Sequence, residues 1–150
     1  MANEISSIQT LTVVTPNAVT VTKSENKKIT MTGDAVSHHT QGVTADEEKL
    51  EIGLDGVTMA NEGLFFIKNL GGASSTATDY VSLGPNGSCS AGGHTDQTAC
   101  EADSKTWTLG EHMIKLVVGE SCLFRGGLTV LSVRCDGPNE SQLEIISVEN

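Results

Sequence analysis

The sequence predicts an all-β chain: one antiparallel β-sandwich or jelly-roll-like domain with an extended N-terminal arm. Three observations lead there. Period-two alternation recurs in short runs separated by turn residues, and no stretch sustains a helical period. Ser, Thr, Gly and Val are abundant while aromatics make up only 3% of the chain, a mix that favours strands and turns. Finally, 150 residues suit one domain and suffice to bury a core without staples.

The elements follow in order. "IQTLTVVT" (8–15) and "NAVTVTKS" (17–24) alternate on either side of Pro16, and "KKITMTG" continues the pattern. Residues 1–32 are rich in Thr, Ser and Val and nearly free of large side chains, so they can hardly build a core of their own. Two readings stay open: an arm that adds strands to a neighbour by edge pairing, or an ordinary hairpin of the same domain. The sandwich domain occupies 33–150. Its strands are "VSHHTQGVT", "KLEIGL" with Leu50, Ile52 and Leu54 on one face, "GLFFIKNL", "DYVSLG", "MIKLVVG", "SCLFRG", "LTVLSVRC" and "QLEIISVE". "TADEEK" is compatible with one helical turn, which Gly53 and Gly56 would close. Phe65, Phe66, Ile67, Leu123, Phe124, Leu131 and Val133 are expected to hold the fold.

Charge excludes some partners. The chain carries 19 acids against 9 bases, a formal −10, so it is not drawn to phosphate backbones and no nucleic-acid partner is expected. "MANEISSIQT" lacks a basic segment followed by an apolar run, so no Sec-type signal is read. No apolar run approaches the ~20 residues of a membrane helix, and no membrane partner is expected. The sequons at Asn86 and Asn139 are read as chance.

Gly126-Gly127 reads as a two-residue hairpin turn. That register puts Cys122, Phe124, Thr129, Leu131, Val133 and Cys135 on one inward face, with Cys135 opposite Val118. The two thiols would then lie about 13 Å apart at ~3.3 Å per residue, beyond the ~7 Å Cα limit for a disulfide. Both are expected to stay reduced in the core.

The densest chemistry is the run 87–108, "GSCSAGGHTDQTACEADSKTWT", within a loop insert at about 85–108. A disulfide between Cys89 and Cys100, with Trp107 over it, would staple the loop and add about 2–3 kcal/mol. A zinc site from Cys89, His94 and Cys100 lacks a fourth ligand and matches no familiar spacing. A loop with two thiols is the third reading. His38 and His39 adjoin in a strand and therefore point to opposite faces, a poor chelate. "GLDGVT" lacks the alternating acids of a calcium loop. No phosphate loop, His-Glu-x-x-His or Gly-x-Ser-x-Gly is present, and Cys-His-Asp in "CSAGGHTD" has no pocket-forming frame. No enzymatic activity, cofactor or metal is expected.

The strand series "GLFFIKNLGG", "DYVSLG", "IKLVVGESCLFRGGLTVLSVRC" and "QLEIISVEN", with "GDAVSHHTQGVTADEEKLEIG" upstream, resembles small structural proteins of tailed bacteriophages over residues 33–150. The resemblance implies a β-sandwich of the capsid decoration (cement) kind, made in the host cytoplasm and assembled on the virion capsid surface. Its implied partners are the major capsid protein and itself, as a homo-oligomer with a trimer favoured. A second reading is a tail-associated or surface-exposed recognition module that binds a host glycan, for which Trp107 and Tyr80 are the available contact rings.

Overall fold

The computed structural model describes residues 3–14, 20–31, 36–50, 64–76, 79–94, 96–125, 131–136 and 140–148. The chain is all-β and its sheets are antiparallel, with one short helix among the described residues. Strands β1 (Asn3–Val14) and β2 (Thr20–Met31) pair with each other as a two-stranded ribbon, in a continuous register from Asn3↔Met31 to Val14↔Thr20. The two strands pair with each other, the hairpin pairing that one of the two sequence readings names. The ribbon pairs into neither of the larger sheets.

Those larger sheets have four strands each. The first runs β10 (Ser121–Arg125), β5 (Leu64–Gly71), β12 (Ser141–Val148), β3 (Val36–Val43). The second runs β4 (Glu48–Lys49), β11 (Leu131–Cys135), β6 (Tyr80–Pro85), β9 (Ile114–Val117). From β3 onward the chain switches sheet at every connection except β6 to β9, which are neighbours in one sheet. The long loop joining that pair carries β7 (Ser88–Cys89), helix α1 (Gln97–Ala102) and β8 (Trp107–Thr108). The expected insert therefore lies between two framework strands.

One apolar cluster joins the two sheets. Ile67, Leu143 and Ile145 from the first sheet meet Val81, Leu83, Leu131 and Val133 from the second, with Val43 and Leu50 beside them. Alternation explains which residues point in: along β12, buried Leu143 and Ile145 alternate with the more exposed Gln142, Glu144 and Ile146. β5 is nearly continuous in burial because it lies between β10 and β12. Of the residues expected to hold the fold, Phe65, Ile67, Leu131 and Val133 are buried, while Phe66, Leu123 and Phe124 are partly buried. Phe65 and Phe124 pair across β5 and β10, ring centroids 5.6 Å apart.

Three expectations need correction. First, β10 and β11 do not form a hairpin. β10 pairs with β5 in one sheet and β11 with β4 and β6 in the other, because the chain crosses between sheets after Arg125. Cys122 lies opposite Ile67 and Cys135 opposite Val81 rather than Val118. Both keep their thiols and both face the shared core, from opposite sheets. Gly126, Gly127 and Thr129 lie outside the described residues. Second, "TADEEK" forms no helical turn. Thr44 caps the run instead, its amide and hydroxyl both donating to the Glu48 carboxylate. Third, a helix exists where none was read. Asp96 caps α1 by accepting from the Ala99 amide at 2.7 Å. Its 6 residues are too few to display a period. Ile52, Leu54 and "GLDGVT" lie outside the described residues.

Candidate functional site

The most concentrated polar arrangement in the described residues is a buried knot at the foot of the insert, centred on Glu47. This residue follows β3 where the chain crosses to the other sheet, just ahead of β4. Its side chain is 0% exposed. The Oε1 atom accepts from the Gly87 amide at 2.7 Å and from the Ser132 hydroxyl at 2.7 Å. The Oε2 atom accepts from Trp107 Nε1 at 3.1 Å and from the Gly110 amide at 2.9 Å. Its main chain is engaged too, since the amide donates to Gln97 Oε1 at 3.0 Å and the carbonyl accepts from the Gln97 amide at 3.3 Å.

Burial alone would raise the pKa of this carboxyl, but hydrogen bonds from Ser132, Gly110, Trp107 and Gly87 more than offset it. They hold Glu47 below the usual carboxylate range. A buried carboxylate is costly unless its lone pairs are met, and here four donors meet them. The donors come from the entry of the insert, its exit and β11. One side chain therefore fastens both ends of the loop to the sheet.

The packing leaves little freedom. A Cβ on Gly110 would fall 2.0 Å from the Pro85 carbonyl oxygen, and one on Gly87 would fall 2.3 Å from that of Thr108. Glycine is required at both for close approach of backbone to backbone.

His112 completes the knot. Its side chain is 6% exposed, with Nε2 2.9 Å from Ser132 Oγ and 3.5 Å from Glu47 Oε1. With the Ser132 hydroxyl directed at Glu47, the Nε2–H tautomer of His112 donates to Ser132 Oγ. Glu, His and Ser are the residue types of a nucleophilic relay, but the geometry differs from one. A relay needs the two imidazole nitrogens to face different partners. Here Nε2 faces both, Nδ1 has no hydrogen-bond partner, and Ser132 is wholly buried. What the arrangement does is lock a loop.

Within the insert, Cys89 and Cys100 are joined by a disulfide, S–S 2.06 Å. Both zinc-candidate sulfurs are therefore consumed, and His94 instead pairs with Asp103, Nε2 to Oδ2 3.0 Å. Among the described residues no group of three or more His, Cys, Asp or Glu is placed to hold a metal. β7 and β8 put Cys89 opposite Trp107, so the tryptophan adjoins the bridge.

Trp107 is not an exposed contact. It is 8% exposed, with its ring edge turned to Glu47. The indole N–H needs a partner when buried, and the carboxylate supplies it. Tyr80 remains partly exposed, but Lys115 covers its ring at 4.4 Å and donates to its hydroxyl at 3.3 Å. His38 and His39 do point apart. His38 pairs with Glu144 across β12 at 2.9 Å, and His39 Nδ1 lies 3.3 Å from Ser37 Oγ.

The sequence reading missed Glu47, Ser132 and His112. Three acids in a row, Asp46-Glu47-Glu48, do not reveal which one turns inward. A signal was present in Gly84, Gly87 and Gly110, which bracket the insert where its two ends approach the sheet.

No helix among the described residues is long and apolar enough to cross a membrane. No family model, curated protein or solved structure matches the chain.

Proposed function

We propose that the chain is a virion structural protein, a bacteriophage head decoration (cement) protein that binds the major capsid lattice through its N-terminal ribbon. The observation that carries this reading is the ribbon itself. Among the described residues, two strands of 12 residues each pair with one another alone and leave two open edges. An isolated two-stranded hairpin is marginal in water, so such a ribbon gains stability by docking. Exposed Thr10 and Ser24 lie 3.1 Å apart through their hydroxyls, and Thr12 and Thr22 lie 3.4 Å apart. This face is suited to main-chain strand addition rather than to apolar burial in its own body.

The resemblance of the strand series to tailed-phage structural proteins supports the same reading. So does the body, which joins two sheets through one core and spends its buried carboxylate on holding a loop. The mechanism is mechanical. A rigid body bridges neighbouring capsid subunits, and repetition over a symmetric lattice multiplies weak contacts. Net negative charge keeps the chain off the packaged genome. The glycan-binding alternative rests on Trp107 and Tyr80 as contact rings; Trp107 is buried and Lys115 covers the Tyr80 ring, so neither favours it.

The test is co-sedimentation of purified chain with undecorated capsids of the encoding phage. The full chain is expected to sediment with capsids, and a chain lacking residues 1–32 is expected to stay in solution with its β-sheet signal intact. Equal binding by both would refute the ribbon's role.

A further inference from the structure

We infer that the edge of β3 is the receiving site for the ribbon of a second copy of this chain. This inference rests on reading the ribbon as a docking arm with two open edges, and assigns one of those edges to a neighbouring copy while the other stays available to the capsid. The two large sheets have four edge strands, β3, β10, β4 and β9. β4 has 2 residues and is too short to pair a long strand. β9 has 4 residues and carries Lys115, and β10 has 5 and ends in Arg125. Short length and basic side chains are the usual means by which edges are kept from pairing.

β3 has none of these protections. It runs 8 residues without Lys, Arg or Pro. Its pairing with β12 is unbroken from Val36↔Val148 to Val43↔Ser141, so the strand is regular along its length. Among the described residues no strand pairs with its other edge. The ribbon strands, at 12 residues, are long enough to cover it fully.

Charge favours a copy of this chain as the occupant. Residues 1–32 hold Lys23, Lys27 and Lys28 against Glu4 and Glu25, a net +1, which leaves −11 on residues 33–150 of the chain's −10. The ribbon therefore carries the opposite sign to the body of a second copy. Apolar surface agrees. Ile8 on the ribbon is 69% exposed and Val36 at the start of β3 is 53% exposed. A docked ribbon brings apolar surface to both. Each copy then gives one ribbon and receives one, a contact that closes as a reciprocal dimer or a ring.

The experiment uses the full chain, without capsids. Light scattering behind size exclusion is expected to give an integer multiple, two or more, of the 15.7 kDa chain mass. Hydrogen exchange of the β3 amides, followed by mass spectrometry, is expected to slow in the assembled fraction relative to diluted monomer. Ile8→Lys and the pair Val36→Lys with Thr40→Lys are each expected to weaken association at least ~tenfold, since a charge in a pairing edge opposes it. Far-ultraviolet dichroism and Trp107 emission verify that each variant stays folded.

A chain that is monomeric at every accessible concentration overturns the inference. An oligomer whose β3 amides exchange as fast as in the monomer overturns it too, while leaving the ribbon free to dock elsewhere. Folded variants that associate like the parent also overturn it. Capsid co-sedimentation of the same variants reads the decoration function separately: self-association through β3 with no capsid binding refutes that function and leaves this inference standing.

Discussion

Glu47 shows how one side chain can decide the conformation of more than twenty residues distant in sequence. Its two oxygens gather Gly87, Trp107, Gly110 and Ser132 from both ends of the insert and from β11. Glu47→Gln keeps the volume but turns an amide N–H₂ toward N–H and O–H donors. It is expected to cost roughly 2–4 kcal/mol in urea unfolding, the scale of breaking buried charge-assisted hydrogen bonds. The emission of Trp107 should shift red as the indole loses its partner. Gly110→Ala is expected to cost roughly 2–3 kcal/mol, because its methyl meets the Pro85 carbonyl. Acid has a defined sign here. The folded carboxyl titrates below its unfolded value, so the stability it adds is complete above the ordinary carboxylate range. That stability is lost as pH falls through the lowered folded value. Unfolding free energy measured against pH should therefore drop at acid pH in the parent chain and drop less in Glu47→Gln. Only the glycines that bracket the insert hinted at this in the sequence, since a buried acid and its half-buried neighbours Asp46 and Glu48 look alike until the donors around them are known.

At the scale of elements, local pattern located most strands and failed where pairing is non-local. "VSHHTQGV" became β3 and "QLEIISV" became part of β12, each with the alternation its sequence displays. Gly126-Gly127 suggested a hairpin, yet β10 and β11 belong to different sheets, a choice set by which strands lie beside them. The face assignment survived the wrong register: Leu131, Val133 and Cys135 are buried because a strand's inward parity does not depend on its partner. The insert is held twice, by the Cys89–Cys100 bridge across 11 positions and by the Glu47 knot. Replacing both cysteines with serine is expected to cost about 2–3 kcal/mol by the loop-closure argument. Because Gln97 of α1 is bonded to the main chain of Glu47, the loss should be partly shared with Glu47→Gln. A double-mutant cycle is expected to show a non-additive total. Strict additivity would mean that bridge and knot act independently.

The whole molecule divides its labour between a two-sheet body and a ribbon. The body's order comes from one apolar cluster and from buried polar ties such as Asn69. That residue donates to the Leu116 carbonyl at 2.9 Å and accepts from the Ser141 hydroxyl at 2.7 Å, linking β5, β9 and the start of β12. Among the described residues the ribbon's strands pair with each other and with no further strand. Fold class and the strands of the N-terminal segment were legible because composition and period speak to both. The partner was not, since an open edge specifies hydrogen bonds without naming the chain that supplies them. The most direct test of the proposed structural role is a cryo-electron microscopy reconstruction of virions from the source of this chain. Density is expected for a two-sheet body on the outer capsid surface, with the ribbon of residues 3–31 paired to a neighbouring chain. Capsid surfaces without this density, or a body attached while its ribbon projects unpaired into solvent, would contradict it.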